Sequence, residues 1–205
     1  MAANGHEKLI LASASPARAA MLTAAGVSFE IVPSTLDEDA MRSAMQAEDG
    51  EVEPQDVAEV LAHAKAEEVS ARNPGVTVIA ADQVLALGDR IFSKADSMEA
   101  ARAQLLDLRG KTHLLHSAVA LARDGAVDWV RVETAEVTMR SFTATFLGRY
   151  MAMAGPKVLA SVGGYHLEGP GVQLIERVSG DYFTVLGLPM FALLEELRNR
   201  NIIAS

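Results

Sequence analysis

Asp82 closes a run of six residues, Val76 to Ala81, that read as a buried strand. The carboxyl end of a sheet strand is where α/β folds place their ligands. A carboxylate there can hold a divalent cation or act as a base; equally, it can be a turn aspartate capping local N–H groups. The run Ser13-Ala14-Ser15-Pro16-Ala17-Arg18 has the form of a turn from strand to helix. Such a turn offers free N–H groups and the positive end of a helix dipole, so two hydroxyls and an arginine beside it suit a phosphate. The same spacing also fits an ordinary Ser-Pro cap with a surface arginine. Asp37-Glu38-Asp39 can bind magnesium or form a solvated acidic loop. Lys65 falls on the helical face of Leu61, where it either meets an anion or snorkels to water. Lys94 follows a short strand and fits a solvated lysine as well as a ligand-binding one.

The histidines His6, His63, His113, His116 and His166 have no metal-binding spacing, and His113 and His116 fall on opposite faces of a strand. All five read as structural. No Gly-x-x-x-x-Gly-Lys-Ser/Thr loop, Gly-x-Gly-x-x-Gly fingerprint or Gly-x-Ser-x-Gly elbow occurs.

These residues need a frame. The pattern predicts a strand at Leu9–Ala12, then a helix from Pro16 that stops at Gly26. A strand over Val27–Val32 and a polar loop from Ser34 to Glu53 come next. Pro54 opens a helix with Val57, Val60, Leu61 and Ala64 on one face, ended by Asn73-Pro74-Gly75. The strand through Asp82 continues to Leu87 and turns at Gly88-Asp89. A helix over Ser97–Leu108 has Asp96 and Glu99 as its capping pair. Two long strands, His113–Ala122 and Val127–Met139, flank the hairpin dipeptide Asp124-Gly125. A helix over Thr143–Ala154, a glycine-rich loop, a strand over Val172–Val178 and a helix from Pro189 to Asn199 complete the chain. Strands alternate with helices around one hairpin, which predicts an α/β fold with a mixed sheet and flanking helices. No repeat or linker divides it, so residues 1–205 are expected to form a single domain with room for two lobes.

The composition narrows the possibilities. Half of the 205 residues are hydrophobic and 22% charged, a globular rather than a disordered balance. Without cysteine, disulfides, thiolate zinc sites and a cysteine nucleophile are excluded. No run of about 18 apolar residues occurs, so no membrane partner is expected. The segment Met1–Lys8 is polar and lacks the apolar stretch of a signal peptide, which leads to the expectation of a cytoplasmic protein. A net charge of −9 argues against long nucleic acid but leaves room for a small anion held by local cations.

Taken in order, the motifs resemble the Maf family of nucleoside triphosphate pyrophosphatases. The matching pieces are Leu9 to Arg18, Asp37-Glu38, Ala64-Lys65-Ala66, Ile79 to Val84, Lys94, Leu108 to His113, Gly164-Tyr165, Glu168-Gly169, Gly180-Asp181-Tyr182 and Val185 to Pro189. The resemblance implies an α/β fold with a deep central groove and a homodimer. It implies cleavage of a nucleoside triphosphate between the α and β phosphates, with a divalent metal, Mg2+ or Mn2+. By the same resemblance Asp82 is the general base, and Glu38 and Asp82 lie at the metal. Ser13, Ser15, Arg18, Lys65 and Lys94 hold phosphates, and Gln83 and Glu168 line the base pocket. The last two match the branch that resembles 7-methyl-GTP pyrophosphatases, whereas Ala17 departs from it, as does Ser93-Lys94-Ala95 from the usual Gly-Lys-Pro. The physical need is plain. A triphosphate repels an attacking water until cations spread its charge, and a carboxylate can orient that water and take its proton. The competing expectation is a nucleotide-binding regulator of septum formation with little turnover.

Overall fold

The computed structural model describes residues 8–47 and 52–204. Met1–Glu7, and with them His6 and nearly all of the polar leader, lie outside the described residues, as do positions 48–51 and 205. The chain runs β1 (Leu9–Leu11), α1 (Pro16–Ala24), β2 (Glu30–Ile31), α2 (Glu38–Ala47), α3 (Pro54–Arg72), β3 (Thr77–Leu87), β4 (Arg90–Phe92) and α4 (Met98–Leu108). It continues with β5 (Thr112–Arg123), β6 (Ala126–Met139), α5 (Ala144–Ala154), β7 (Ile175–Ser179), α6 (Tyr182–Val185) and α7 (Met190–Asn199). Short 3-10 turns at Gly155–Ala160 and Pro170–Leu174 precede β7. The sheet order is β2-β1-β3-β5-β6-β7, with β4 on β3. Pairing is parallel between β1 and both β2 and β3, and antiparallel in β3–β4 and β6–β7, which makes the sheet mixed.

Five local expectations are corrected. The strand expected over Val27–Val32 shrinks to Glu30–Ile31. The Val27 amide donates instead to the Leu22 carbonyl at 3.0 Å and closes α1 around Gly26, whose φ is +74°. The acidic loop contains helix α2. Asp37 Oδ1 accepts from the Ala40 amide at 2.9 Å, and Glu38 and Asp39 sit in the first turn, where the dipole favours negative charge. On α3 the buried stripe is Val57, Ala58, Leu61, Ala62, Lys65, Ala66, Val69 and Ser70, while Val60 stays 44% exposed. The alanines let the helix approach closely, so the stripe turns toward them. Ser97, not Asp96, caps α4 by accepting from Ala100 at 3.1 Å. The strand expected from Val172 starts at Ile175, because Pro170–Leu174 is a 3-10 turn in which Gly171 packs against the His166 backbone.

The residues cluster into two compact units. The first holds positions 1–83, 117–133 and 187–205; the second holds 84–116 and 134–186. In the first, β1, the start of β3 and the α3 residues Val57, Leu61 and Val69 are all buried. Its hairpin turn has φ +53° at Asp124 and +79° at Gly125, the conformation that Asn-Gly and Asp-Gly turns favour. That turn is tied down: Gly75 donates its amide to Asp124 Oδ1 at 2.6 Å, and Gly125 donates its own to Ser70 Oγ at 3.0 Å.

In the second unit, Leu85, Leu105, Leu108, Val137, Leu147, Tyr150 and Tyr165 belong to one apolar core. His113 is 1% exposed there, with Nε2 2.7 Å from the Tyr165 hydroxyl and Nδ1 buried without a partner among the described residues. Burial depresses the His113 imidazole to about 4. The unfolded chain then binds more protons than the folded one between pH 6.5 and about 4, so stability falls as pH drops through that window. The slope contributed is at most about 1.4 kcal/mol per pH unit. Urea melts at pH 7.5 and 5.0 should show this loss, and His113→Gln should flatten it. An unchanged slope in the variant would assign the acid sensitivity elsewhere.

Candidate functional site

In the first unit the loop after β1 turns sharply into α1. Ser13 Oγ accepts from the Ser15 amide at 3.2 Å, and Ser15 Oγ accepts from the Arg18 amide at 3.4 Å, so Ser15 is the predicted N-cap. Arg18 is held on three acceptors. Nε donates to the Gly187 carbonyl at 2.8 Å, and Nη1 donates to the Ala81 carbonyl at 2.8 Å and to Ser13 Oγ at 3.2 Å. These contacts fix the guanidinium next to the residue that precedes Asp82. Burial lowers the Arg18 pKa, opposed by the charges of Asp82 and Glu38.

A charged quartet stands beside it. Lys65, from the inward face of α3, reaches Asp82 Oδ1 at 2.6 Å and Glu38 Oε2 at 2.8 Å. Arg42 Nη2 reaches Asp82 Oδ2 at 3.2 Å and lies 3.8 Å from Glu38 Oε2. The Asp82 and Lys65 side chains are 5% and 6% exposed, and Glu38 is 40% exposed. Two carboxylates and two cations cancel, which lets Asp82 and Lys65 be buried while Glu38 keeps contact with water. Next to Asp82, Gln83 donates from Nε2 to Ser117 Oγ at 3.0 Å. Gly187, at φ +94°, lies so close that a Cβ there would sit 3.4 Å from Arg18 Nη2 and 3.5 Å from Gln83 Cδ.

The sequence profile of the family described as Maf-like protein matches residues 8–200. The chain belongs to the Maf family. A relative from Mesorhizobium japonicum named 7-methyl-GTP pyrophosphatase is 53% identical over 197 residues, covering 96% of this chain and 98% of its own. One of the same name from Brucella abortus is 52% identical over 196 residues, with 96% and 98% covered. A Caulobacter vibrioides relative named nucleoside triphosphate pyrophosphatase is 51% identical over 188 residues, with 92% and 93% covered.

In this Maf chain the structure gathers Ser13, Ser15, Arg18, Glu38, Lys65, Asp82 and Gln83 within the first unit. Lys94 and Glu168 belong to the second. Lys94 is exposed between β4 and α4, in a segment braced by Gln104 Nε2 donating to the Ser93 carbonyl at 2.8 Å. Glu168 Oε1 lies 3.4 Å from His166 Nδ1. Sequence reasoning missed Arg42, and it named Gly187 only within the run Val185 to Pro189, with no role of its own. Arg42 had a legible signal, since Glu38 and Arg42 are four apart and meet once that stretch is helical. Among the described residues no group of three or more His, Asp or Glu side chains is placed to hold a metal.

Proposed function

We propose that this Maf chain is a nucleoside triphosphate pyrophosphatase, which opens the α–β phosphoanhydride with water and releases a monophosphate and pyrophosphate. The carrying observation is the nearly buried Asp82 carboxylate, held by Lys65 at 2.6 Å beside an immobilised Arg18. The names of relatives about half identical over almost the whole chain support it. Asp82 orients the attacking water and takes its proton. Lys65, Arg18, Ser13 and Ser15 meet phosphate oxygens. A guanidinium already locked on three carbonyl and hydroxyl oxygens contributes charge without reorganising.

Glu38 and Asp82 are hard oxygen donors 2.8 and 2.6 Å from one shared cation, Lys65. Mg2+ characteristically takes one or two carboxylates plus substrate phosphates, so the pair fits Mg2+ or Mn2+. When bound, the metal supplies charge neutralisation on the triphosphate. Glu168 favours 7-methyl-GTP, because a carboxylate can accept from the guanine N1–H and amino group and offset the positive methylated ring. A cytoplasmic homodimer built from one domain per chain completes the proposal on the strength of the family. Among the described residues no helix is long and apolar enough to cross a membrane.

The test is pyrophosphate release with Mg2+ or Mn2+ across standard nucleotides, 7-methyl-GTP, pseudo-UTP and 5-methyl-UTP. Turnover fastest on 7-methyl-GTP is expected. Binding without turnover on every member would replace this proposal with a regulatory binder.

A further inference from the structure

Arg42 stands one helical turn after Glu38 on α2, so the two side chains share a face. Both Asp82 oxygens and Glu38 Oε2 are engaged by a cation: Lys65 at 2.6 and 2.8 Å, Arg42 at 3.2 and 3.8 Å. The two cations are not equivalent. Lys65 makes the shorter contacts from a buried position on α3. Arg42 makes the longer ones, and its Nε is buried with no partner among the described residues. An unsatisfied buried donor of a charged group is a standing cost. The present pose therefore leaves Arg42 short of what its five donors can make, and an anion with several oxygens would satisfy Nε and Nη together. A divalent cation and a guanidinium also cannot sit on the same oxygen without strong repulsion.

We infer that Arg42 is a built-in counter-cation that competes with the divalent metal for Glu38 and Asp82 and yields to it when a polyphosphate offers Arg42 other oxygens. The inference rests on the proposal that these two carboxylates seat the metal. Metal and nucleotide would then bind with positive coupling, each removing an obstacle to the other. Toward the metal, Arg42 acts through the two carboxylates and not on the reacting atoms.

The test is Mn2+ binding to nucleotide-free protein, followed by electron paramagnetic resonance of the free ion. Arg42→Gln should bind Mn2+ about tenfold more tightly, because the ion then faces one unit charge fewer in a partly solvated site. Arg42→Lys, which keeps the charge, should stay within about twofold of the parent chain. Circular dichroism checks folding, and Arg42→Met replaces the glutamine variant if that one loses its helical signal. Unchanged or weaker Mn2+ binding in the uncharged variant overturns the inference, as does an equal gain in Arg42→Lys. Mn2+ binding that is absent in all variants, or that survives Asp82→Asn intact, overturns it through the metal assignment. Pyrophosphate release by the parent chain judges the proposed activity separately.

Discussion

Asp82→Asn is expected to lower kcat about 10²-fold or more while the chain stays folded. Asparagine has the same shape, and its Oδ1 still accepts from Lys65, which also keeps Glu38 at 2.8 Å. At saturating metal, which offsets the loss of one charged oxygen from the proposed metal seat, what disappears is the ability to take a proton from water. The loss should therefore fall on kcat with a smaller effect on KM, since the phosphate-holding groups are untouched. Stopped-flow pyrophosphate release beside a thermal melt separates the two effects. A variant turning over near the parent rate, with normal melting, would remove Asp82 from the base role.

Lys65→Met should damage both stability and rate. Methionine replaces the buried stem but not the ammonium that joins Asp82 and Glu38. The 5%-exposed Asp82 carboxylate would keep Arg42 at 3.2 Å as its remaining charged partner in the quartet and would face Glu38 without the cation between them. Breaking such a pair costs about 3 kcal/mol, the low end of the usual range, because Arg42 remains and Glu38 is partly solvated. For a chain of this size that lowers Tm by roughly 6–12 °C. Loss of a fixed positive charge from the phosphate site should lower kcat/KM by about 10²-fold. A melt within two degrees of the parent would show, to that approximation, that Lys65 is a spectator of the pair.

Much of the frame was visible in the residues themselves. Pro16 after Ser15, Asp124-Gly125, and Asn73-Pro74-Gly75 after α3 are local signals, and local chemistry fixes those turns. Leu61, four residues earlier on the same helix, gave Lys65 a reason to turn inward but left snorkelling to water open. Helix α2 was hidden because its residues are polar on average, and its start depends on Asp37 choosing a cap over open solvent. Once that helix is missed, Arg42 has no reason to meet Glu38. Two of the three acceptors of Arg18 were equally hidden, since Ala81 and Gly187 contribute carbonyls, which carry no side-chain signature. The short β2 has a similar cause: the Val27 amide has its own use at the end of α1.

The turn at Asp124-Gly125 bears on where this chain tolerates added sequence. Tips of β-hairpins are ordinarily good places to splice a tag or a reporter. This one is stitched through Asp124 to the Gly75 amide and through Gly125 to Ser70, near the end of the helix that carries Lys65. Cargo spliced there would loosen the C-terminal end of α3. The turn at Gly88, between β3 and β4, has open space around it, since a side-chain carbon built there meets nothing within 4 Å, and a splice beside it should keep the glycine, whose φ is +60°.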